Sequence, residues 1–209
     1  FNFIEGDILD SNVLRNIFLN AKSTNRPIEA VIHLAGLKSV EESIKRPLKY
    51  WETNLKGTIN LLNAMIEFNC FRIVFSSSAT IYDGSNNNLI KENTLINPIN
   101  PYGQTKAAVE RLLNDLYKSP DQNWTIASLR YFNPLGAHPS GMIGEDPLNT
   151  PNNIFPIINR VALGTIDEIR IFGNDWNTRD GTCIRDFIHI MDLSEGHILV
   201  LEKLFKEKN

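Results

Sequence analysis

The sequence has few cysteines, no excess of basic residues and no long apolar segment. Its two cysteines, Cys70 and Cys183, are too few for a disulfide framework. We therefore interpret them as reduced thiols of a cytoplasmic protein. Lysine and arginine total 21 against 24 acidic residues, which argues against nucleic acid as the main partner. Because no apolar run is long enough to cross a bilayer, we expect no membrane partner.

The sequence also lacks a recognisable metal-binding pattern. Its four histidines are far apart and do not have the short spacings of zinc ligands: His33, His138, His189 and His197. We predict no metal site. The remaining composition, 42% hydrophobic and 22% charged, is typical of a globular protein. A chain of 209 residues can form a full core and part of a second lobe.

Apolar runs and amphipathic stretches alternate along the first two thirds of the chain. We predict strands at 1–8, 30–36, 72–75 and 124–131, and helices at 11–20, 48–68 and 101–117. The helix at 11–20 would be capped by Ser11 or Asn12. This alternation predicts an α/β fold with a doubly wound parallel sheet, which is Rossmann-like.

The polar residues that follow the apolar runs are candidate ligand-binding groups. Ligands of open parallel sheets bind at the carboxyl ends of the strands. The first polar groups beyond those ends are Asp7, Lys38, Ser78 and Asn133. Beyond Asn133 the pattern is weaker: we predict a long loop at 134–156, helices at 153–164 and 192–205, and strands at 168–172 and 187–190.

Tyr102 and Lys106 form a candidate proton-transfer pair. Pro101 favours a helix start, and the two side chains are then one turn apart on the same face. Free tyrosine titrates near pH ~10, and an ammonium group nearby favours its phenolate. Lowering that pKa by about three units needs roughly 4 kcal/mol, more than one lysine normally supplies. A second cation, such as an oxidised nicotinamide ring, could supply the rest; alternatively, the spacing arose by chance.

Many segments match one family in the same order. They are 6–8, 31–38, 54–58, 75–82, 101–106, 130–134, 136–141, 144–147, 151–153, 171–173, 185–189 and 191–193. On these segments the sequence resembles the extended short-chain dehydrogenases/reductases, and within that family the UDP-glucose 4-epimerases. Related 4,6-dehydratases have an acidic residue after the catalytic Ser/Thr. Because Ala79 and Thr80 follow Ser78 here, the resemblance implies no dehydration.

Two parts of the family pattern are missing from the sequence. The glycine-rich phosphate loop that opens the first βαβ unit is absent, and so is the region that follows the last helix. We therefore interpret the chain as an internal fragment of a longer enzyme, or alternatively as a naturally short, degenerate copy. Since the glycine-rich loop holds the pyrophosphate at a helix N-terminus, we expect this chain by itself to bind NAD poorly or not at all.

The resemblance implies residue roles, all numbered in this sequence. Tyr102 would be the base, Lys106 would lower its pKa and hold the nicotinamide ribose, and Ser78 would hydrogen-bond the sugar hydroxyl. NAD would be bound by these residues: Asp7, Ile8, Leu34, Ala35, Gly36, Lys38, Asn54, Ser76, Tyr102, Lys106 and Phe132. The UDP-sugar would be bound by these: Lys38, Ser78, Tyr102, Asn133, Asn153, Phe172 and Arg185.

The resemblance also implies a domain organisation and an activity. Residues 1–132 would form an NAD-binding domain without its first βαβ unit, 133–186 part of a nucleotide-sugar-binding lobe, and 187–209 a strand and helix returning to the first domain. The implied activity is NAD-dependent interconversion of UDP-glucose and UDP-galactose through a 4-keto intermediate. The alternatives are epimerisation of a UDP-N-acetylhexosamine or UDP-pentose, or a non-catalytic NAD-binding homologue. A homodimer through helices 48–68 and 101–117 is expected.

Overall fold

The computed structural model describes residues 2–83, 89–147, 151 and 153–206, which form two compact units. The first unit comprises Phe1–Arg130 and His197–Asn209, and the second comprises Tyr131–Gly196. Among the described residues, no helix is both long enough and apolar enough to cross a membrane.

The first unit contains a parallel sheet with helical connections. Its elements are α1 (Ser11–Ser23), β1 (Val31–His33), α2 (Val40–Lys45), α3 (Pro47–Tyr50), a π-helical segment (Trp51–Lys56), α4 (Gly57–Glu67), β2 (Arg72–Ser76), a 3₁₀ turn (Ala79–Ile81), α5 (Pro101–Lys118) and β3 (Thr125–Leu129). The strand order is β1-β2-β3, and both pairings are parallel. The predicted α/β class with a parallel sheet is confirmed.

The central strand β2 is buried because it has neighbours on both edges and helices on its faces. Ile73 lies between Val31 of β1 and Ile126 of β3. Ile73 and Phe75 are 0% and 1% exposed. The surrounding core joins α1, α4 and α5 to the sheet through these side chains: Phe18, Leu61, Leu62, Ala64, Met65, Cys70, Val109, Leu113 and Trp124. A short apolar run such as Arg72–Ser76 is the sequence pattern of a strand buried on both faces.

The helix predicted at 48–68 is helical throughout but changes its hydrogen-bond pattern. It begins as α3 at Pro47, becomes π-helical from Trp51 to Lys56, and continues as α4 to Glu67. A π segment inserts a wider turn, and such segments occur frequently at functional sites. The sequence does not predict this change, because apolar residues recur at helical spacing both before and after the π segment.

Two predicted strands are wrong, and one predicted cap differs. Residues 2–7 form no strand, and Phe1 lies outside the described residues. Residues 168–172 are also irregular, and Phe172 is 90% exposed. A strand needs a neighbouring strand for its hydrogen bonds, and no described strand pairs with either stretch. Helix α1 is capped by Asp10, whose carboxylate accepts from the N–H groups of Asn12 and Val13, rather than by Ser11 or Asn12.

The second unit contains β4 (Asn133–Leu135), α6 (Ile154–Ala162) and β5 (Phe187–His189). Strands β4 and β5 pair in parallel, with Asn133 opposite Phe187. Strand β4 lies within the loop predicted at 134–156, of which residues 148–150 and 152 lie outside the described residues. Strand β5 pairs with β4 in a two-stranded sheet that is separate from the three-stranded sheet. Helix α7 (Ile190–Lys206) follows directly.

Candidate active site

Helix α5 brings Tyr102 and Lys106 into the interior. The Asn100 side chain caps the helix by accepting a 2.8 Å bond from the Gly103 N–H, and Pro101 occupies the first turn. Tyr102 and Lys106 are therefore one turn apart on the same face, where they are 8% and 6% exposed. The predicted helix and the predicted pairing of these two side chains on one face are both present.

The Lys106 ammonium lies at the carboxyl end of β2. Its Nζ donates a 2.8 Å hydrogen bond to the carbonyl oxygen of Ser76. The same Nζ is 4.8 Å from the ring centroid of Phe75 and 6.0 Å from that of Tyr102. Burial lowers the pKa of Lys106 to about 8, because an ammonium group loses hydration when it is removed from water. The site therefore holds a partly desolvated positive charge next to a phenol ring.

Ser78 follows β2 and is held by the turn that it begins. Its hydroxyl oxygen accepts from the Thr80 N–H at 3.2 Å and from the Thr80 hydroxyl at 3.0 Å. A serine hydroxyl has two acceptor positions and one donor proton. Thr80 occupies both acceptor positions, so the proton of Ser78 is left to donate. Ser78 is 8% exposed, and Ser76, two residues earlier, is 6% exposed.

Gly103 is a close-packing position beside the candidate site, to which the sequence analysis gave no role. A Cβ atom at this residue would lie 2.4 Å from the Thr80 carbonyl oxygen and 2.9 Å from Cβ of Pro98. Only glycine therefore lets the first turn of α5 approach the turn that begins at Ser78. The signal was present in the sequence, since Gly103 follows Tyr102 directly, but only the tertiary contact gives it a reason.

Asn54, in the π-helical segment, connects the loop after β1 to α5. Its Oδ1 accepts a 2.8 Å bond from the Leu37 N–H, and its Nδ2 donates to the Leu37 carbonyl and to the Thr105 hydroxyl, both at 3.0 Å. A Cβ atom on Gly36 would lie 3.0 Å from Asn54 Oδ1 and 3.8 Å from Lys106 Nζ. The predicted cofactor positions Gly36, Asn54 and Lys106 are thus brought together.

The remaining predicted cofactor residues of the first unit are exposed or half-buried at strand and turn ends. Leu34 is 61% exposed, and Ala35, Gly36 and Lys38 are also exposed. Asp7 is exposed, and its Oδ1 accepts a 2.8 Å bond from the Leu9 N–H. Ile8 is half-buried, and Asn60 of α4 anchors this turn by donating to the Leu9 carbonyl at 3.1 Å.

A buried ion pair behind Ser78 was also missed by the sequence analysis. Arg130, directly after β3, forms a bidentate contact with Glu110 of α5, with an Nη2 to Oε2 distance of 2.6 Å. The Ser77 hydroxyl donates to the same carboxylate, and Arg130 donates to the Tyr82 hydroxyl at 2.7 Å. Hydrogen bonding to Glu110 raises the pKa of Arg130 above its already high value. The pair joins β2, α5 and β3 below the candidate site.

The second unit contains the predicted substrate residues that lie beyond β3. Asn133 on β4 donates from Nδ2 to the Asp186 carbonyl at 2.8 Å, and Arg185 directly precedes Asp186 in the sequence. Asn153 instead donates to Glu145 at 2.5 Å. Among the described residues, neither Asn153 nor the exposed Phe172 forms a hydrogen bond with Asn133. Phe132 is 41% exposed. Nor do three or more potential ligand side chains gather into a metal site anywhere in the described ranges.

Comparison with known proteins matches this arrangement to one family. A sequence profile of the NAD dependent epimerase/dehydratase family matches residues 1–209. The chain belongs to this family. A UDP-glucose 4-epimerase of Bacillus subtilis is 49% identical over 202 residues, which cover 97% of this chain and 58% of that relative. The chain thus spans little more than half the length of this curated relative.

Two solved structures are similar to nearly all of this chain. A UDP-glucose-4-epimerase of Stenotrophomonas maltophila, crystallised with NAD and formylated UDP-arabinopyranose, has a TM-score of 0.86 and 44% identity. The match covers 96% of this chain and 58% of that one. The Bifidobacterium longum UDP-glucose 4-epimerase, in complex with NAD⁺ and UDP, has a TM-score of 0.87 and 43% identity, and the match covers 95% and 58% of the two chains.

Proposed function

We propose that this family member carries the proton-transfer centre of an NAD-dependent UDP-glucose 4-epimerase, which interconverts UDP-glucose and UDP-galactose in galactose metabolism. The observation that carries the proposal is the position of the Lys106 ammonium. It is buried, bonded to the Ser76 carbonyl and 6.0 Å from the Tyr102 ring centroid. Burial of this ammonium group costs free energy, because the group loses its hydration. Side chains with pKa values perturbed in this way are common at functional sites.

The residues present fit a dinucleotide at the carboxyl edge of the sheet. The loop 34–36 is exposed there, and a side chain at Gly36 would meet the carboxamide oxygen of Asn54. The absence of a Cβ atom leaves room for a ligand to approach this backbone. Lys106 supplies donors for ribose hydroxyl groups, and Asp7, in the turn before α1, is assigned to the cofactor by the family resemblance. Bound NAD⁺ would supply the hydride acceptor for C4 of the sugar and return the hydride to the opposite face.

The chain's own residues would handle the proton of the 4-hydroxyl. Tyr102 as phenolate accepts that proton while the C4–H bond breaks, and it returns the proton when the C4–H bond forms again. The Lys106 charge favours the phenolate. Ser78, whose acceptor positions are occupied by Thr80, donates its proton to the sugar oxygen and so stabilises the developing charge. The residues after Ser78, Ala79 and Thr80, provide no carboxylate for dehydration.

The family resemblance assigns substrate-binding roles to further residues. Arginine binds phosphate through its planar fork, so Arg185 and the neighbouring Asn133 are assigned to the diphosphate of UDP. Asn153 and Phe172 are assigned to the sugar and uracil. Lys38 is assigned to the NAD pyrophosphate and to the substrate, and Phe132 to the nicotinamide. A second candidate substrate is a UDP-pentose, since a structural neighbour with 44% identity was crystallised with formylated UDP-arabinopyranose. We further propose a cytoplasmic homodimer, which helices α3 to α5 would join.

The test uses the full-length protein that contains this chain, with NAD and UDP-galactose. The Tyr102→Phe variant removes only the phenol oxygen and should lower kcat by about 10² to 10⁴, the range for loss of a general base. Tyr117→Phe is a matched control, because Tyr117 lies on the same helix and is 63% exposed. An active Tyr102→Phe enzyme would refute the assigned base. Wild-type protein that binds NAD but converts no UDP-sugar would favour the non-catalytic alternative.

A further inference from the structure

His33 and Thr58 form a buried polar contact that the proposed reaction does not use directly. His33 is the last residue of β1, and Thr58 lies in the first turn of α4; they are 3% and 1% exposed. The distance from His33 Nε2 to Thr58 Oγ1 is 2.8 Å. Buried polar groups of this kind are costly unless they are paired, so their placement requires an explanation.

The direction of this hydrogen bond follows from a second contact of Thr58. The Thr58 Oγ1 is 2.6 Å from the carbonyl oxygen of Asn54, which can only accept. The single hydroxyl proton is therefore used in that bond. Thr58 must accept from His33, which places a proton on Nε2 of the imidazole. Burial, and then the charge of Lys106, lower the pKa of His33 to about 4, so the ring is neutral at physiological pH with Nδ1 unprotonated.

The chain of bonds continues from Asn54 to the candidate active site. The Asn54 carboxamide bonds both the N–H and the carbonyl of Leu37, and it donates to the Thr105 hydroxyl at 3.0 Å. Thr105 in turn donates to the Tyr102 carbonyl at 2.7 Å. Thr58 thus supports the backbone of Asn54 close to where the helix changes from π to α. The Asn54 side chain fixes the loop after β1 and the first turn of α5.

We propose that His33 and Thr58 are positioning residues. The His33 Nε2–H orients the Thr58 hydroxyl, and that hydroxyl holds the backbone carbonyl of Asn54. The carboxamide of Asn54 then fixes Leu37 and Thr105, and Thr105 is bonded to Tyr102. The role depends on the proposed epimerase reaction, but the bond direction does not. Neither residue needs to touch the cofactor or the sugar. Their effect is expected on the reaction step more than on substrate affinity, because misplacement of a reacting group lowers its rate constant.

The bond direction is tested first, without an activity measurement. Long-range ¹H–¹⁵N NMR spectra of the full-length protein, labelled with ¹⁵N-histidine, report which ring nitrogen of His33 carries the proton. We expect Nε2–H in the wild type at neutral pH. In Thr58→Val, which removes the hydroxyl and keeps the side-chain shape, we expect the Nε2–H resonance to move upfield, because its hydrogen bond is lost. A wild-type His33 with its proton on Nδ1 would overturn the proposal.

Activity with UDP-galactose then tests the positioning role. Thr58→Val and His33→Phe should each lower kcat about 10-fold or more, with KM changed less than about twofold. Thr58→Ser and His33→Gln keep the hydroxyl and an Nε2 donor, and should restore most of kcat. The double variant Thr58→Val/His33→Phe should be no worse than either single variant, because both break one chain.

Two outcomes distinguish failure of this proposal from failure of the proposed function. Additive losses in the double variant, or no rescue by Thr58→Ser and His33→Gln, would overturn the positioning role in an otherwise active enzyme. A wild-type protein that converts no UDP-sugar would overturn the proposed function and the role in it together, while the NMR result would still establish the bond direction.

Discussion

The ammonium of Lys106 donates a 2.8 Å hydrogen bond to the carbonyl oxygen of Ser76, at the carboxyl end of the central strand. This contact fixes a charge where parallel sheets bind ligands. It also connects α5 to β2, two residues before Ser78. The predicted proton-transfer pair is therefore attached to the sheet rather than exposed on a helix surface.

Because of Lys106, the free energy of unfolding should depend on pH in the alkaline range, between about 8 and 10.5. The folded protein releases the Lys106 proton near pH 8, whereas the unfolded chain retains it to about 10.5. Between these values the unfolded state binds more protons, so stability rises with pH. Relative to Lys106→Met, the wild type should gain about 3 kcal/mol across this window. Urea unfolding at both ends of the window measures the difference. Lys118→Met, an exposed position on the same helix, should leave the profile unchanged; parallel profiles for wild type and Lys106→Met would contradict the prediction.

Because of His33, the free energy of unfolding should depend on pH in the acid range, between about 4 and 6.5. Its pKa is lowered from 6.5 to about 4 in the folded state, so below pH 6.5 the unfolded chain binds the additional proton. The contribution of this residue to the free energy of unfolding is fully present above pH 6.5, and it is lost as the pH falls towards 4. Relative to His33→Gln, the wild type should lose about 3 kcal/mol over this range. Thermal unfolding in buffers across the range tests it, with His138→Gln as an exposed control. An equal acid sensitivity of wild type and His33→Gln would count against it.

Gly103→Ala should damage both stability and activity. The new Cβ atom would lie 2.4 Å from the Thr80 carbonyl oxygen, so α5 or the Ser78 turn must move. Overpacking of this kind typically costs about 1–3 kcal/mol. Because that movement would displace either the first turn of α5, which carries Tyr102, or the turn that begins at Ser78, kcat should fall further than stability requires. Gly196→Ala is the matched control, because its Cβ would meet nothing within 4 Å and helical alanine is favoured over glycine. Chemical denaturation measures the effect on stability, and a turnover assay measures the effect on activity, for both variants. A Gly103→Ala protein as stable as wild type would disprove the close contact.

Arg130→Leu should be strongly destabilising. Glu110 is 8% exposed at its side chain and would retain a buried charge without its counter-ion. Loss of one partner of such a pair costs about 3–5 kcal/mol. The double variant Arg130→Leu/Glu110→Leu should recover part of this loss, because no charge is then left unpaired. Denaturant midpoints for the single and double variants provide the test. Additive losses would show that the two residues act independently.

The site was predictable from sequence to the extent that it depends on local spacing. Tyr102 and Lys106 share a face because α5 begins at Pro101, and Ser78 lies beyond a strand whose central residues 73–75 are apolar. Gly103, Glu110 and Arg130 were not identified, because their partners are distant in sequence. The supposed strands at 1–8 and 168–172 failed for the same reason: strand pairing depends on a neighbour that the local pattern does not contain.

Local sequence alone determined helices α1 and α5, strands β1 to β3, the parallel α/β class, the face shared by Tyr102 and Lys106, and the family. These follow from apolar periodicity and from matching segments, which need no knowledge of distant contacts. Only the tertiary structure decided that Lys106 loses its water and bonds to Ser76, that residues 51–56 form a π segment, and that His33, Thr58 and Asn54 join in one chain of hydrogen bonds. Burial and hydrogen-bond direction are set by which elements pack together, and that is a property of the folded chain.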